Sequence, residues 1–182
     1  MRLPSPSQAL AEARSAAGAG DHARALAAAQ QALAGNPESI DALVLAVNSA
    51  LRCDQLLLAV PWLEALLRSH PHNIQFQRLL STAHNNLGSR QLQAGETGTA
   101  LQAFSRALAV WPDNAEALFN RARLALDAGQ PGAALPDLER LCAQHPHDQA
   151  AAILRAEARI ATDDAEPPLQ ARDALAGLRA LQ

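Results

Sequence analysis

The sequence predicts an all-α fold in which pairs of helices repeat along the chain as a solenoid. The residues are 49% hydrophobic but only 3% aromatic, so the apolar content is mostly Ala and Leu, which favour helices. No stretch alternates with the period of two that is typical of a strand. Four prolines, Pro37, Pro71, Pro112 and Pro146, are separated by 34, 41 and 34 residues. A regular period of roughly 20–50 residues is the pattern of a solenoid.

Small residues follow the same period. An alanine lies twelve residues before each proline, at Ala25, Ala59, Ala100 and Ala134. Glycine occupies three of the four turns between paired helices, at Gly20, Gly95 and Gly129, and Asp54 occupies the fourth. Because glycine readily adopts the left-handed conformation that ends a helix, these positions predict tight turns.

Five helix pairs are predicted between these markers. Their bounds are 7–18 with 21–35, 38–52 with 55–69, 73–94 with 97–110, 114–128 with 131–145, and 148–162 with 167–181. At the start of the second pair we expect Asn36 to cap the helix, Pro37 to begin it and Glu38 to lie near the positive end of its dipole. The repeats are about 6–39, 40–73, 74–114, 115–148 and 149–182, in a single domain.

The period and the small residues resemble those of the tetratricopeptide repeat (TPR), a helix–turn–helix unit. The best match is Asn86, Leu87, Gly88, Gly95, Ala100, Phe104, Ala107 and Pro112, followed by Ala122, Gly129, Ala134, Leu138 and Pro146. The resemblance covers nearly the whole chain and implies a right-handed α-solenoid of about ten helices. Where the family often has Trp, the chain has Ala9, Leu43, His84 and Leu118. The last repeat diverges, with Asp163 in place of the turn glycine, as expected of a capping unit.

The third repeat contains seven extra residues, Ile74 to Leu80. Seven residues add two helical turns, about 10.5 Å, and keep the same face inward. We therefore expect a first helix elongated at its N-terminal end. The alternative is a helix of ordinary length followed by a loop over Gly88–Gly98, but the triplet at 86–88 is in phase with Pro112 and favours the long helix.

Composition limits the possible functions. The formal net charge is -3, whereas a nucleic-acid-binding domain typically has a strong basic excess. No apolar run reaches 18 residues, and the N-terminal segment lacks the apolar region of a secretory signal, so a membrane partner is not expected. Cys53 and Cys142 are expected to be separate reduced thiols. These features predict a cytoplasmic protein, and the Ala, Leu and Arg bias is typical of bacteria.

No catalytic or cofactor motif is found in the sequence, which predicts a protein that is not an enzyme and binds no cofactor. His70-Pro71-His72 and His145-Pro146-His147 look like a matched metal motif, but they occupy the same phase of repeats two apart. Equal phase in a solenoid predicts separate loops, whereas a metal needs its ligands around one centre. No metal site is therefore expected.

In TPR proteins the first helices of the pairs line a concave groove that binds a peptide or a partner. By phase, the groove residues are Asn48, Arg52, Asn85, Asn86, Ser89, Phe119, Asn120 and Arg123, with Arg14, Ile153 and Glu157 towards the ends. Asparagine can hydrogen-bond to a peptide backbone of any sequence, and arginine can bind a carboxylate. The alternative is that the asparagines only bond neighbouring helices. The two-carboxylate clamp of cochaperones is not expected, because Val44, Glu116 and Asn120 occupy three of its basic positions.

The leading hypothesis is a non-enzymatic scaffold that binds a peptide segment or partner protein in this groove. One alternative is the N-terminal TPR region of a larger bacterial enzyme, similar to a sulfotransferase or glycosyltransferase, in which the repeats dock a substrate or partner. The other alternative is a self-associating assembly module that forms homo-oligomers.

Overall fold

The computed structural model describes residues 4–165, with side chains to residue 162, and this part of the chain contains nine α-helices and no strand. The helices are α1 (Pro6–Gly18), α2 (His22–Gly35), α3 (Ile40–Arg52), α4 (Leu56–Ser69), α5 (Ile74–Gln93), α6 (Thr97–Val110), α7 (Ala115–Asp127), α8 (Pro131–Gln144) and α9 (Gln149–Ala165). The all-α prediction is confirmed. The tenth predicted helix, 167–181, lies outside the described residues. The turn expected at Asp163 is instead helical, since α9 continues to Ala165.

The described helices belong to two compact units. The first ends at Asn114 and contains the three pairs α1–α2, α3–α4 and α5–α6. The second begins at Ala115 and contains α7, α8 and α9. The boundary coincides with the predicted end of the third repeat, and the assignment of residues 1–182 to a single domain stays a prediction.

The recurrent prolines lie in turns between pairs and do not begin the next helix, which corrects the expectation for Asn36, Pro37 and Glu38. The backbone N–H of Ser39 donates to the carbonyl of Asn36 at 3.2 Å, so Pro37 is the second residue of a four-residue turn, where its fixed φ is favoured. The same bond closes the other three turns, from Asn73 to His70, Asn114 to Trp111 and Asp148 to His145. The helix is then capped by the last turn residue, as by Ser39 in α3.

The turns within the first four pairs share one hydrogen-bond pattern. The residue after the left-handed position donates its N–H to a carbonyl five residues earlier, as from Glu96 to Gln91 at 2.8 Å. This is the Schellman arrangement, which needs a positive φ. Gly20, Gly95 and Gly129 have φ of 79°, 80° and 68°. Asp54 adopts φ 61° at the fourth turn, although L-residues with a side chain resist that conformation.

The elongated first helix of the third pair is confirmed, because α5 is a single 20-residue helix. Asn73 caps it by accepting the N–H groups of Gln75 and Phe76 at 3.0 and 3.2 Å. Further along, Gly88 lies against the ring of Phe104 in α6, such that a Cβ added at Gly88 would lie 2.7 Å from that ring. The absence of a side chain at Gly88 therefore allows α5 and α6 to approach closely.

A buried serine also closes the third pair. The hydroxyl of Ser81 in α5 donates to the carbonyl of Ala107 in α6 at 2.8 Å and accepts the side-chain amide of Asn114 at 2.8 Å. Ser81 is fully buried, and these two bonds satisfy its hydroxyl group.

Each unit has its own apolar core. In the first unit a continuous cluster runs from α1 to α5, and its buried members in α1 and α2 are mostly alanines. In the second unit Ala122, Ala134, Leu138 and Ala158 form a cluster joining α7, α8 and α9. Alanine permits close helix contact, so the recurrent small residues of the sequence are the positions at which helices meet.

Candidate functional site

The first helix of the second pair has a polar stripe opposite its core face. Its buried residues are Ala42, Leu43, Ala46, Val47, Ser49 and Ala50. The exposed residues Asp41, Asn48 and Arg52 are spaced by seven and four, which places them on one side of a helix. Within residues 4–162, the side chains of Asn48 and Arg52 form no hydrogen bond or ion pair. Both are therefore available to a partner.

The predicted groove residues of α5 differ in accessibility. Asn86 is exposed and Ser89 is half-buried, whereas Asn85 is only 2% exposed. The side-chain amide of Asn85 donates to Oδ1 of Asn86 at 3.4 Å, and the Ser89 hydroxyl donates to the backbone carbonyl of Asn85 at 3.1 Å. The expectation that Asn85 itself faces a partner does not fit this burial. Asn85 is placed to orient Asn86 from beneath the surface.

Two ion pairs connect neighbouring helix pairs in the first unit. Arg14 of α1 forms an ion pair with Asp41 at the start of α3. Arg90 of α5 forms an ion pair with Asp54 in the α3–α4 turn, and also donates to the Asp54 carbonyl at 3.3 Å. Arg52 and Ser89 each lie within two residues of this second contact in the sequence. Arg14 is already engaged with Asp41.

In the second unit, α7 contains three predicted groove residues. Arg123 is exposed, whereas Phe119 and Asn120 are half-buried. Within the described residues Arg123 forms no side-chain bond or ion pair. Its guanidinium is therefore free to bind a carboxylate, next to a partly covered aromatic ring. Further along the groove positions, Ile153 and Glu157 are exposed on α9.

A bidentate ion pair that the sequence analysis did not predict lies beside these residues in α7. Arg121 donates through Nε and Nη2 to the two oxygens of Asp137 in α8, both at 2.7 Å. Asp137 is buried, and its hydrogen bond raises the pKa of the Arg121 guanidinium. A comparison of repeats could have indicated this ion pair. The equivalent residues one repeat earlier, Leu87 and Ala103, are both apolar, so the two positions differ together.

Among residues 4–162, no group of three or more His, Cys, Asp or Glu side chains is arranged to hold a metal ion. His70 and His72 flank one proline turn, and His145 and His147 flank another in the second unit. Cys53 and Cys142 are both free thiols. None of the described helices combines the length and the hydropathy of a membrane-spanning segment.

Family comparison agrees with this geometry. The tetratricopeptide repeat family matches residues 16–82 and, through a second set of overlapping matches, 85–148 and 119–166. The chain belongs to the TPR family. This assignment explains the shared turns and the alanines at the helix crossings in both units. Comparison with curated protein sequences finds no match.

Solved TPR structures share the fold. A crystal structure of MamA protein aligns with a TM-score of 0.53 and 16% identity over 90% of this chain and 96% of that one. YrrB, described as a TPR protein with an unusual peptide-binding site, aligns with a TM-score of 0.53 and 20% identity over 90% of this chain and 80% of that one. At these identities the similarity concerns the fold alone.

Proposed function

We propose that this TPR chain is a non-enzymatic interaction module that binds an extended protein segment through the exposed polar stripes of its first helices. The observation that supports the proposal is the pair Asn48 and Arg52, which are exposed on α3 and have no side-chain partner within the described residues. Asn86 and Ser89 of α5 extend this surface, and the buried side-chain amide of Asn85 donates to Asn86.

The chemistry of the stripe defines the expected ligand. Asn48 and Asn86 each offer a donor and an acceptor, which match the carbonyl and N–H groups of an extended backbone. Arg52 offers a charged fork to a carboxylate of the bound segment. In the second unit, Arg123 provides the same charge beside Phe119 and Asn120. YrrB is itself described as having a peptide-binding site, which is consistent with a peptide ligand here.

A selected peptide can test the stripe. Peptides would be isolated from a displayed random library on the full chain, and their Kd measured for the variant Asn48→Ala/Arg52→Ala/Asn86→Ala. We expect affinity to fall about 10-fold or more, since each lost polar contact contributes roughly 1 kcal/mol. The matched control is Gln30→Ala/Gln102→Ala, which removes exposed side chains from α2 and α6. Equal affinity of the triple variant and the native chain for every selected peptide would contradict the proposal.

Self-association is a second candidate, favoured by a separate observation. Leu57 is 72% exposed, and the adjacent Leu58 of α4 is also exposed. Contiguous exposed apolar side chains often mark contact surfaces. Light scattering over a range of concentrations tests this: a mass that rises with concentration, and no longer does so in Leu57→Ser, supports association through α4. A constant monomer mass argues against it. The third alternative, docking within a larger enzyme, has no specific support in the described residues.

A further inference from the structure

The face of α5 that packs on α6 is unusual because it is polar. His84, Gly88 and Gln91 are spaced by four and three, which puts them on one side of the helix, and the contact of Gly88 with Phe104 shows that this side faces α6. His84 is 4% exposed. Within residues 4–162, its Nδ1 atom and Oε1 of Gln91 are both buried without a hydrogen-bond partner.

The first, second and fourth repeats have no such polar groups at these positions. The residues in phase with His84 are Ala9, Leu43 and Leu118, and those in phase with Gln91 are Ala16, Ala50 and Ala125. Ala9, Leu43 and Leu118 are buried in the same way as His84. The position therefore accommodates an apolar side chain in the other described pairs, and the histidine introduces a group whose charge depends on pH.

We infer that His84 makes the α5–α6 pair an acid-sensitive element, which is closed while the imidazole is neutral and loosened when the ring is protonated. An imidazolium at this position places a charge at a buried helix contact, where the other described pairs have an apolar side chain. A buried charge without a partner is strongly unfavourable, so the charged ring favours conformations in which α5 and α6 separate and water reaches it.

The charges around the ring support this direction. Burial lowers the pKa of His84 below its usual value, and Arg106 of α6 lowers it further, while Glu64 of α4 acts in the opposite sense. The remaining charged side chains of these elements, Arg68 on α4 and Arg78 and Arg90 on α5, are exposed. Glu96 precedes α6 and is also exposed.

The sign of the pH effect follows from this lowered pKa. Below a pH of about 6.5, the usual pKa of histidine, the unfolded chain binds a proton that the folded chain resists. The contribution of His84 to stability is therefore constant above that pH and becomes unfavourable as the pH falls below it. Loss of the α5–α6 contact on mild acidification is the expected result.

Thermal unfolding of the full chain between pH 8 and pH 5 tests the inference. The decrease in Tm on acidification should be smaller in His84→Leu, which introduces the residue found at positions 43 and 118, than in the native chain. His72→Gln, a change at an exposed histidine of the same unit, should retain the native decrease. An equal decrease in all three proteins would overturn the inference.

An NMR titration of the native protein provides a test that does not require a variant to fold. The His84 ring signal should keep its neutral position to a lower pH in the folded protein than in the chain unfolded in urea. Signals from α5 and α6 should change together with the His84 titration. The same His84 midpoint in the folded and unfolded chains would overturn the inference.

Discussion

The third and fourth helix pairs follow the same sequence pattern 34 residues apart, yet different interactions close them. In the third pair, Gly88 lies beneath the large ring of Phe104. At the equivalent positions of the fourth pair, Ala122 and Leu138 are both fully buried. The pair with the smaller residue on its first helix, Gly88, has the larger residue on its second helix, Phe104. Side-chain volume is therefore balanced between the two helices of a pair.

A second set of equivalent positions shows the same behaviour for charge. Leu87 and Ala103 of the third pair correspond to Arg121 and Asp137 of the fourth, which form a bidentate ion pair. The two positions are both apolar in the third pair and carry opposite charges in the fourth pair. A TPR position should therefore be interpreted together with its partner on the other helix of the pair.

Removing the ion pair of the second unit should lower the free energy of unfolding more than the other changes considered below. Arg121→Leu leaves the carboxylate of Asp137 buried without its guanidinium, and we expect the free energy of unfolding to decrease by about 3 kcal/mol. Adding Asp137→Ala reproduces the residues of the third pair, and the double variant should recover most of this loss. Urea denaturation measures both. A double variant no more stable than Arg121→Leu would show that the two positions are independent.

An intermediate effect is expected at the close contact of the first unit. Gly88→Ala places a Cβ 2.7 Å from the ring of Phe104, and we expect a cost of about 1–3 kcal/mol from overpacking. Combining it with Phe104→Leu reproduces the fourth pair and should recover part of the stability. The control is Gly98→Ala in α6, where no atom lies within 4 Å, and a small gain is expected there. Equal effects of the two alanines on the denaturation midpoint would argue against the size compensation.

Smaller losses of stability, equal in the third and fourth pairs, are expected in the turn within each pair. Gly95 and Gly129 have φ of 80° and 68°, and alanine at either position costs about 1 kcal/mol because its Cβ disfavours the left-handed conformation. The thermal denaturation of Gly95→Ala and Gly129→Ala measures these costs. Markedly different costs would indicate that the turns also contribute to the difference between the pairs.

The smallest effect on stability is expected at Asp54. This residue occupies the turn position of the second pair at which the third and fourth pairs have glycine. Asp54→Gly removes a side chain from a residue with φ 61° and also removes an exposed ion pair with Arg90. Since exposed pairs contribute roughly 0–1 kcal/mol, the two changes nearly offset and stability should rise by at most about 1 kcal/mol. Asp54→Asn serves as the control because it keeps a side chain at this φ. A clear loss of stability in Asp54→Gly would show that the Arg90 contact dominates.

The sequence predicted the helices well because proline, glycine and alanine mark the turns and crossings. The length of α5 followed from the phase of Asn86, Leu87 and Gly88 relative to Pro112. The site was less predictable. Asn85 and Asn86 are neighbours, and only the rotation of α5 decides that the first is buried and the second exposed. Periodicity defines a helix face to within about one residue, because successive residues differ by roughly 100°.

The pairing of Arg121 with Asp137 depends on which residues face each other between α7 and α8. One sequence gives no direct measure of that register. Comparison of equivalent positions between repeats provides a substitute, since Leu87 and Ala103 change together to Arg121 and Asp137. The N-terminal capping by Ser39 was missed for a local reason: the proline fixes a turn whose last residue, and not the one before the proline, becomes the cap.

The alanine-rich packing of α1 and α2 has a calorimetric consequence. Their buried residues are Ala9, Ala13, Ala16, Ala25, Leu26, Ala28, Ala29, Ala32 and Leu33, whereas α4 buries mainly leucines. Melting of the first pair exposes less hydrocarbon to water per residue, and the heat capacity increment of unfolding scales with that exposure. This end of the molecule should therefore have the flatter dependence of stability on temperature, and lose less of its stability on cooling than the leucine-rich second pair.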